Sequence, residues 1–314
     1  MIILVNMLPC WLLSQCPDTK QQVLIETYRS VADHLYDSYW PSWKEVPGHL
    51  LLVDDEREYL FNTSYTDSTF QDSCDGIPSR SATMNKHFLA TFPFINYQPT
   101  IIIGTPENTN KSPLAWTITL LHEHFHQLQF SHPNYYAAQK SLNLDKGDQT
   151  GMWMLNHPFP YEEAGVISKI NDMAKNLLSL YENSSIEEVL VRHKKLKEEL
   201  KTIIGEEHYR YLNLQLWQEG FARFQELSIL TYWIESFDQI EQDRFEKSEL
   251  VSYLEDYQSK ILASLEDTPI NESKRVYFYA LGAAEAMLIK AVNPEWKSAY
   301  FDDLFNTDHL LVQH

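Results

Sequence analysis

Two histidines and a glutamate lie close together near the middle of the chain, at a spacing that can bind a metal ion. The segment His122-Glu123-His124-Phe125-His126 is an HExxH motif. On a helix, His122 and His126 stand one turn apart on the same face, so both imidazoles can reach one ion. Glu123 then lies beside the ion, where a general base for a metal-bound water must sit. The alternative is a histidine-rich patch on a half-buried helix, because four of the chain's twelve histidines fall between residues 122 and 132.

The sequence around the motif predicts the helix that would position these side chains. Ser112 is suited to the N-cap and Pro113 to the first helical position. Apolar residues recur at helical spacing and form one stripe: Leu114, Ile118, Leu121, Phe125 and Leu128. His122 and His126 border this stripe, so we expect them to face the interior.

A third metal ligand is needed, and His132 is the first candidate. It stands ten residues after His122, which fits the spacing HExxHxxGxxH. That motif needs a glycine to turn the chain out of the helix, and the glycine position here is Gln129. Pro133 instead indicates that the helix continues to about Ser131 and stops there. His132 would then point too far round the helix to share the ion.

Glu219 is the second candidate, in the segment Trp217-Gln218-Glu219-Gly220-Phe221-Ala222-Arg223-Phe224-Gln225-Glu226. One carboxylate and two imidazoles give a net charge of +1 with Zn²⁺ and leave one tetrahedral position open. Gly220 would let this helix approach the HExxH helix closely. Glu226 lies two turns after Glu219 on the same face and could orient a ligand histidine. The alternative is an ordinary glutamate on an amphipathic helix. Glu162 and Glu163 are weaker candidates for the third ligand.

This second segment resembles the WxxEGFAxxxE-type segment of gluzincin metallopeptidases, most closely the aminopeptidase N and leukotriene hydrolase group. The resemblance implies that Glu219 is the third zinc ligand, on a helix packed across the HExxH helix. It covers the two motif helices, about forty residues. Three features depart from the family. The connection over residues 127–218 is much longer than in close relatives, no GxMEN-like segment precedes the motif, and Arg223 stands where the thermolysin pattern has an aspartate.

The resemblance also implies a hydrogen-bond donor for the oxyanion of the tetrahedral intermediate. In gluzincins this donor is a tyrosine or a histidine. By their distance after Glu219, Tyr277 and Tyr279 are candidates, and His208 is another. For any one of them, a buried aromatic without a catalytic role is the alternative.

Composition and charge limit the class of protein. The 314 residues include 44% hydrophobic and 13% aromatic residues, enough for a large core, and only nine glycines, which fits a mainly helical chain. The formal net charge of −19 argues against a nucleic-acid partner, because the phosphate backbone would be repelled. No GxGxxG, P-loop or GxSxG motif appears.

The N-terminal residues 1–16 are a candidate signal or lipoprotein segment. The apolar stretch Met1 to Leu13 is too short to span a bilayer as a stable helix and lacks a basic n-region. Leu13-Ser14-Gln15-Cys16 is similar to a lipoprotein cleavage site, although glutamine before the cysteine is atypical. We expect an exported protein or a lipoprotein in preference to a cytoplasmic one. Cys10, Cys16 and Cys74 have no metal-binding spacing and allow at most one disulfide.

The order of predicted elements gives an α+β fold, zincin-like, with a small N-terminal mixed sheet followed by a mainly helical C-terminal part. We expect a helix from about Asp18 to Ser38, paired strands over 49–53 and 58–61, and a loop over 63–80. Two more strands over 86–94 and 100–104 precede the HExxH helix, and only helices follow. In zincins an edge strand above the metal pairs with extended substrate.

Three parts follow the N-terminal segment. Residues 17–135 form an α+β part that includes the HExxH helix, residues 136–205 an irregular segment and helical insertion, and residues 206–314 a helical part carrying the third ligand. In the last part we expect helices over 206–236, 247–265 and 272–292.

These observations predict a zinc metallopeptidase with one Zn²⁺ per chain, held by His122, His126 and Glu219. Glu123 would take a proton from the metal-bound water and deliver it to the leaving amine, with Tyr279 or Tyr277 as oxyanion donor. The expected partner is a peptide or protein substrate, with no nucleic acid and no stable membrane span. Two alternatives stay open: a zinc-binding module without turnover, and a metal-free helical interaction domain.

Overall fold

A computed structural model describes residues 16–46, 48–63, 66–148, 150–182 and 184–312. The fold is α+β, as the sequence predicts. A small mixed sheet lies in the N-terminal part, and the chain after it is mostly helical. The predicted signal or lipoprotein segment lies outside the described residues except for Cys16. Among the described helices, none combines the length and apolar character needed to cross a bilayer.

The sheet has six strands in the order β3-β4-β2-β1-β6-β5. Their bounds are β1 Leu50–Val53, β2 Arg57–Phe61, β3 Asp72–Cys74, β4 Ile77–Ser81, β5 Leu89–Pro93 and β6 Pro99–Gly104. β1 and β6 are parallel, and the other neighbouring pairs are antiparallel. β1 and most of β6 are buried on both faces, which explains their uninterrupted apolar sequences. β5 forms one edge of the sheet.

The strand predictions are confirmed except in one region. The two strands predicted around residues 54–57 pair as β1 and β2; β5 falls within its predicted range, and β6 begins one residue before its predicted start. The loop predicted over residues 63–80 is wrong, because β3 and β4 form a hairpin there. Its turn is Asp75-Gly76, and both residues have positive φ, as the tight hairpin turn favoured by Asp-Gly requires. These strands are short and partly exposed, so no alternation of apolar residues marks them.

Helices make up most of the rest of the described chain. The α-helices are α1 Thr19–Ser38, α2 Pro113–Ser131, α3 Tyr135–Ser141, α4 Trp153–Asn156, α5 Ala164–Leu178, α6 Ile186–Gln215, α7 Phe221–Glu235, α8 Lys247–Asp267, α9 Ile270–Ser273, α10 Tyr277–Val292 and α11 Trp296–Ala299. One cluster of buried hydrophobic side chains runs from Leu24 to Leu311, and the three predicted parts share it.

The HExxH helix α2 begins and ends where the sequence predicts. The Ser112 hydroxyl accepts a hydrogen bond from the backbone N–H of Ala115, and Pro113 occupies the first turn. The helix ends at Ser131, two residues before Pro133. It packs against β5, β6, α1 and α7, so 14 of its 19 residues are buried.

The long stretch from α6 to α7 contains two irregularities. Gly205 has φ +75°, a left-handed conformation that interrupts α6 at the point where the sequence predicts one helix to end and another to begin. Further along, Leu216–Gly220 forms a π-helical turn that joins α6 to α7. Such single π-turns inserted in α-helices frequently mark functional sites. This one contains Glu219.

Candidate metal centre

His122 and His126 point the same nitrogen of each ring toward one another. Both side chains lie in the interior, only 6% exposed, as their place beside the apolar stripe of α2 predicts. Their Nε2 atoms are 3.1 Å apart. The two Nε2 atoms therefore converge on one small volume.

Glu219 brings a carboxylate to the same place. Its Oε2 lies 3.4 Å from Nε2 of His126 and 3.9 Å from Nε2 of His122. Glu219 belongs to the π-helical turn Leu216–Gly220, and α7 directly after it packs against α2. Two helices remote in sequence thus contribute three donor atoms to one point.

These three donor atoms have the spacing that a zinc ion needs. Nitrogen and oxygen ligands lie about 2.0–2.2 Å from zinc, so in a tetrahedral site the ligand atoms are about 3.3–3.6 Å from one another. The three distances given above, 3.1, 3.4 and 3.9 Å, bracket this range. A set of two imidazoles and one carboxylate is also a donor set that zinc uses in catalytic sites.

Charge at the centre is balanced between His126 and Glu219. Burial lowers the pKa of His126, but the adjacent Glu219 carboxylate outweighs burial and raises this pKa to about 9. Burial raises the pKa of Glu219, but His126 lowers it, with His122 and Arg275, to about 2. A metal ion binding here would replace the His126 proton, because a ligand histidine must be neutral.

The opposite nitrogen of each histidine ring has its own partner. His122 Nδ1 lies 2.5 Å from Oε1 of Glu226, and His126 Nδ1 lies 2.7 Å from Oε1 of Gln129. An acceptor on Nδ1 fixes the ring orientation and leaves Nε2 free to bind a metal. The predicted role of Glu226 in orienting a ligand histidine agrees with this contact.

Glu226 is held by two further side chains. Arg223 Nη1 donates to its Oε2 at 3.1 Å, and the Tyr257 hydroxyl donates to the same oxygen. Burial raises the pKa of Glu226, but Arg223 and His122 lower it to about 2. Arg223, which departs from the thermolysin pattern, therefore keeps the partner of His122 ionised.

Gln129 joins α2 to the π-helical turn. Its Nε2 donates to the backbone carbonyls of Trp217 at 3.2 Å and Gln218 at 3.1 Å, and to the Tyr300 hydroxyl at 2.7 Å. The same side chain accepts from His126. The Tyr300 hydroxyl also donates to the Trp217 carbonyl, at 2.6 Å, so Gln129 and Tyr300 together connect α2 to the π-helical turn.

Gly220 does allow close helix packing, but against a different helix from the one predicted. A Cβ atom on Gly220 would lie 2.4 Å from Cα of Gly282, and one on Gly282 would lie 2.6 Å from Cα of Gly220. The close approach is thus to α10 and not to the HExxH helix. It brings the N-terminal half of α10 beside Glu219.

Glu123 lies beside the two histidines. One of its carboxylate oxygens and the ring nitrogens of His122 and His126 all lie within 4.8 Å of one another. The Thr91 hydroxyl, on edge strand β5, is 2.9 Å from Glu123 Oε2 and 2.9 Å from the Glu123 backbone carbonyl. β5 therefore contributes a contact to the Glu123 carboxylate.

Of the two candidate tyrosines, only Tyr279 comes to the centre. Its hydroxyl lies 2.9 Å from Nη1 of Arg275, and that nitrogen lies 3.5 Å from Oε1 of Glu219. Burial, followed by the Glu219 charge, raises the pKa of Tyr279, so the hydroxyl keeps its proton. The structure does not bring Tyr277, the other predicted oxyanion donor, to the centre: its hydroxyl donates to the backbone carbonyl of Leu265. Two residues apart on a helix, the side chains leave opposite faces.

The remaining candidates lie elsewhere. His132 follows the end of α2 and stacks on Phe301, with ring centroids 5.3 Å apart. The His208 ring pairs with His157 at 3.0 Å. Glu162 and Glu163 are exposed at the start of α5.

His124 of the motif is a core histidine. Its Nδ1 lies 2.9 Å from the Tyr28 hydroxyl, and burial lowers its pKa to about 4, so the ring is neutral. For His124, the alternative interpretation of the motif as histidines without a metal-binding role therefore holds.

Four residues of the centre were not singled out from the sequence: Thr91, Gln129 as a partner of His126, Tyr257 and Arg275. For two of them the sequence spacing could have indicated the contact. Gln129 lies three residues after His126 and Arg275 lies four before Tyr279, and residues at these spacings are neighbours on one face of a helix. Thr91 and Tyr257 depend on long-range contacts that periodicity does not report.

The chain matches no family model, no curated protein and no solved structure. The interpretation of the centre therefore depends on its geometry and chemistry.

Proposed function

We propose that this protein is a zinc-dependent metallopeptidase with a zincin-like fold and a gluzincin centre. The observation that carries the proposal is the convergence of Nε2 of His122, Nε2 of His126 and Oε2 of Glu219. Each histidine also has a side-chain oxygen within 2.7 Å of its other nitrogen, where metal-ligating histidines almost always have an acceptor.

His122, His126 and Glu219 would hold one Zn²⁺ per chain. When bound, the ion polarises a substrate carbonyl and lowers the pKa of water, and the three protein ligands give it a net charge of +1. Glu226 and Gln129 hold the two imidazoles in position for this role.

Glu123 is suited to move the proton. Its carboxylate accepts a proton from the attacking water and then delivers it to the leaving amine. The Thr91 hydroxyl donates to Oε2 and fixes the direction of the carboxylate. Neither Glu226 nor Glu219 can act as this base, since Glu226 contacts His122, Arg223 and Tyr257 and Glu219 is a ligand.

Tyr279 is suited to donate a hydrogen bond to the oxyanion. Its raised pKa keeps the hydroxyl protonated at neutral pH, which a donor requires. Arg275 fixes the hydroxyl from one side, close to Glu219.

The edge strand β5 is suited to bind an extended peptide. The Phe88 carbonyl accepts from the Gly104 N–H, and the Phe94 N–H donates to the Gln98 carbonyl. The even-numbered residues of this segment therefore direct their backbone hydrogen-bonding groups toward β6. The backbone groups of Leu89 and Thr91 are consequently directed to the open edge. A substrate strand added there would run past Glu123, which Thr91 contacts. A peptide is therefore the proposed substrate.

Cleavage of a peptide library, read by mass spectrometry, tests the proposal. We expect the zinc-loaded protein to cut peptides and Glu123→Gln to lower kcat about 10²- to 10⁴-fold while keeping its zinc. Glu198→Gln, an exposed change on α6, is the matched control and should keep full activity. Zinc binding without cleavage would favour the binding module. Absence of zinc would favour the metal-free interaction domain.

We also propose that the protein is exported. A disulfide joins Cys16 to Cys74, and such bonds persist in oxidising compartments. A Cys16 sulfur engaged in this bond cannot also carry a lipid thioether, which favours export without lipidation. Thiol labelling of the secreted and cytoplasmic fractions tests this: labelled Cys16 and Cys74 in the native protein would contradict it.

A further inference from the structure

Arg275 lies at the proposed zinc centre and is only partly used by the protein itself. Its Nη1 lies 2.9 Å from the Tyr279 hydroxyl, 3.4 Å from Oε1 of Gln215 and 3.5 Å from Oε1 of Glu219. Within the part of the chain that the structure describes, no hydrogen bond reaches its Nη2 or Nε. Its side chain is 22% exposed. The guanidinium thus keeps N–H groups that the described chain does not use, on a side chain that is partly exposed.

We propose that Arg275 binds a carboxylate of the substrate next to the scissile bond. This inference rests on the proposed function and names its substrate class: peptides that carry a negative charge beside the bond to be cut. The charge could be the C-terminal carboxylate or the side chain of Asp or Glu.

The chemistry of the side chain favours a carboxylate. A guanidinium presents its N–H groups as a rigid planar fork that matches the two oxygens of a carboxylate. With Nη1 committed to Tyr279, the Nη2 and Nε donors remain to make such a pair.

The local fold fixes Arg275 in this position. Arg275 lies in a 3-10 turn, Lys274–Val276, that leads into α10, and it contacts the Tyr279 hydroxyl in the first turns of that helix. Just before Arg275, Lys274 has φ +49° and ψ −126°, a conformation that costs a non-glycine residue energy and ends α9. Directly after this reversal, Arg275 Nη1 lies 3.5 Å from Glu219.

The second arginine near the centre, Arg223, is less suited to this role. Its Nη1 donates to the Glu226 carboxylate at 3.1 Å and contacts the Tyr257 hydroxyl, and Glu226 is the partner of His122. The Arg223 charge is thus hydrogen-bonded to a carboxylate of the protein, whereas Arg275 lies 3.5 Å from Glu219 and makes its hydrogen bonds to Tyr279 and Gln215. The formal net charge of −19 repels anions from most of the surface, so a local cation is needed for an acidic substrate to be retained.

Binding of three short peptides tests the proposal in the Glu123→Gln background, where no probe is consumed. The probes are N-acetyl-Phe-Phe as the free acid, the same peptide as its amide, and N-acetyl-Phe-Glu-amide. Dissociation constants are measured by calorimetry on zinc-supplemented protein, and zinc content is measured on the same samples. Three further changes are compared in that background: Arg275→Gln, Arg275→Lys, and Arg192→Gln as a matched control on the exposed face of α6.

We expect at least one carboxylate probe to bind about 10- to 100-fold more tightly than the neutral amide, as for a hydrogen-bonded ion pair. Arg275→Gln should remove this preference, Arg275→Lys should keep part of it, and Arg192→Gln should leave it unchanged. Preference for the free acid alone would assign the C-terminal carboxylate, and preference for the glutamyl peptide alone would assign an acidic side chain.

Three results would overturn the inference. They are no binding of any probe, a carboxylate preference that survives Arg275→Gln, and an equal loss of affinity for all three probes. The last result would mean that Arg275 only positions Tyr279 and Glu219. Failure of the proposed function is seen separately, as absent zinc or as no peptide cleavage by the protein with Glu123 intact.

Discussion

Replacing each of two glutamines of α2 makes it possible to distinguish the effect of a side chain on metal binding from its effect on stability. Gln127 and Gln129 are both fully buried and both donate to backbone carbonyls of other elements. Only Gln129 also accepts a hydrogen bond from a proposed ligand, His126. Replacing each glutamine by leucine keeps the side chain close to its original size and removes its hydrogen bonds.

The expected losses follow from the bonds removed. At about 1 kcal/mol for each hydrogen bond, Gln127→Leu, which loses its bonds to the carbonyls of His49 and Pro99, should cost about 2 kcal/mol of unfolding free energy. Gln129→Leu loses both amide N–H groups, which share three acceptors, and the acceptor of His126; at about three hydrogen bonds it should cost about 3 kcal/mol. Zinc affinity should fall about 10- to 100-fold in Gln129→Leu alone, because only there does a ligand lose its orienting partner.

Denaturant unfolding of the metal-free variants measures the stability, and competition with a chromophoric chelator measures the zinc affinity. Gln129→Glu, which keeps an acceptor for His126, should lose less zinc affinity than Gln129→Leu. An equal fall in zinc affinity for Gln127→Leu and Gln129→Leu would refute the reasoning, since the effect would then follow general stability.

Three further changes test other parts of the site and fold. Gly282→Ala should push α10 away from the Glu219 turn and cost about 1–3 kcal/mol or more, since its Cβ would lie 2.6 Å from Cα of Gly220; unchanged thermal stability would contradict the close approach. Tyr279→Phe should lower kcat about 10²-fold or more with zinc content unchanged, and a normal kcat would remove the tyrosine from the mechanism. Glu285→Gln should cost about 3 kcal/mol, because buried Lys197 would keep only one carboxylate partner. Burial raises the pKa of Glu285 but Lys197 lowers it to about 2, so its contribution should be complete above about pH 4.5 and vanish as the pH falls toward 2. Unfolding measured across this pH range should show less acid sensitivity in Glu285→Gln than in the wild type, and equal sensitivity would contradict this assignment.

The sequence predicts those parts of the centre that depend on one helix. Ser112, the apolar stripe and Pro133 determine the start, the buried face and the end of α2. The spacing of His122 and His126 then places both rings on one side. Helical geometry alone suffices for this, so the prediction and the structure agree.

Contacts between distant segments could not be predicted in this way. The π-helical turn at Glu219 leaves no mark in the apolar periodicity of the helices around it. The contact of Thr91 with Glu123 depends on β5 being an edge strand, and sheet order follows from tertiary packing. Gly220 indicated that its helix packs closely against another, but the residues around it in the sequence could not identify that helix as α10.

Zinc content per chain is the most direct test of the central claim. It should be measured by elemental mass spectrometry on the wild type, Glu219→Ala and His132→Ala, purified without chelator. The proposed centre predicts one zinc in the wild type and in His132→Ala, and its loss or marked weakening in Glu219→Ala. Zinc lost with His132→Ala and kept with Glu219→Ala, or absent from the wild type, would contradict it.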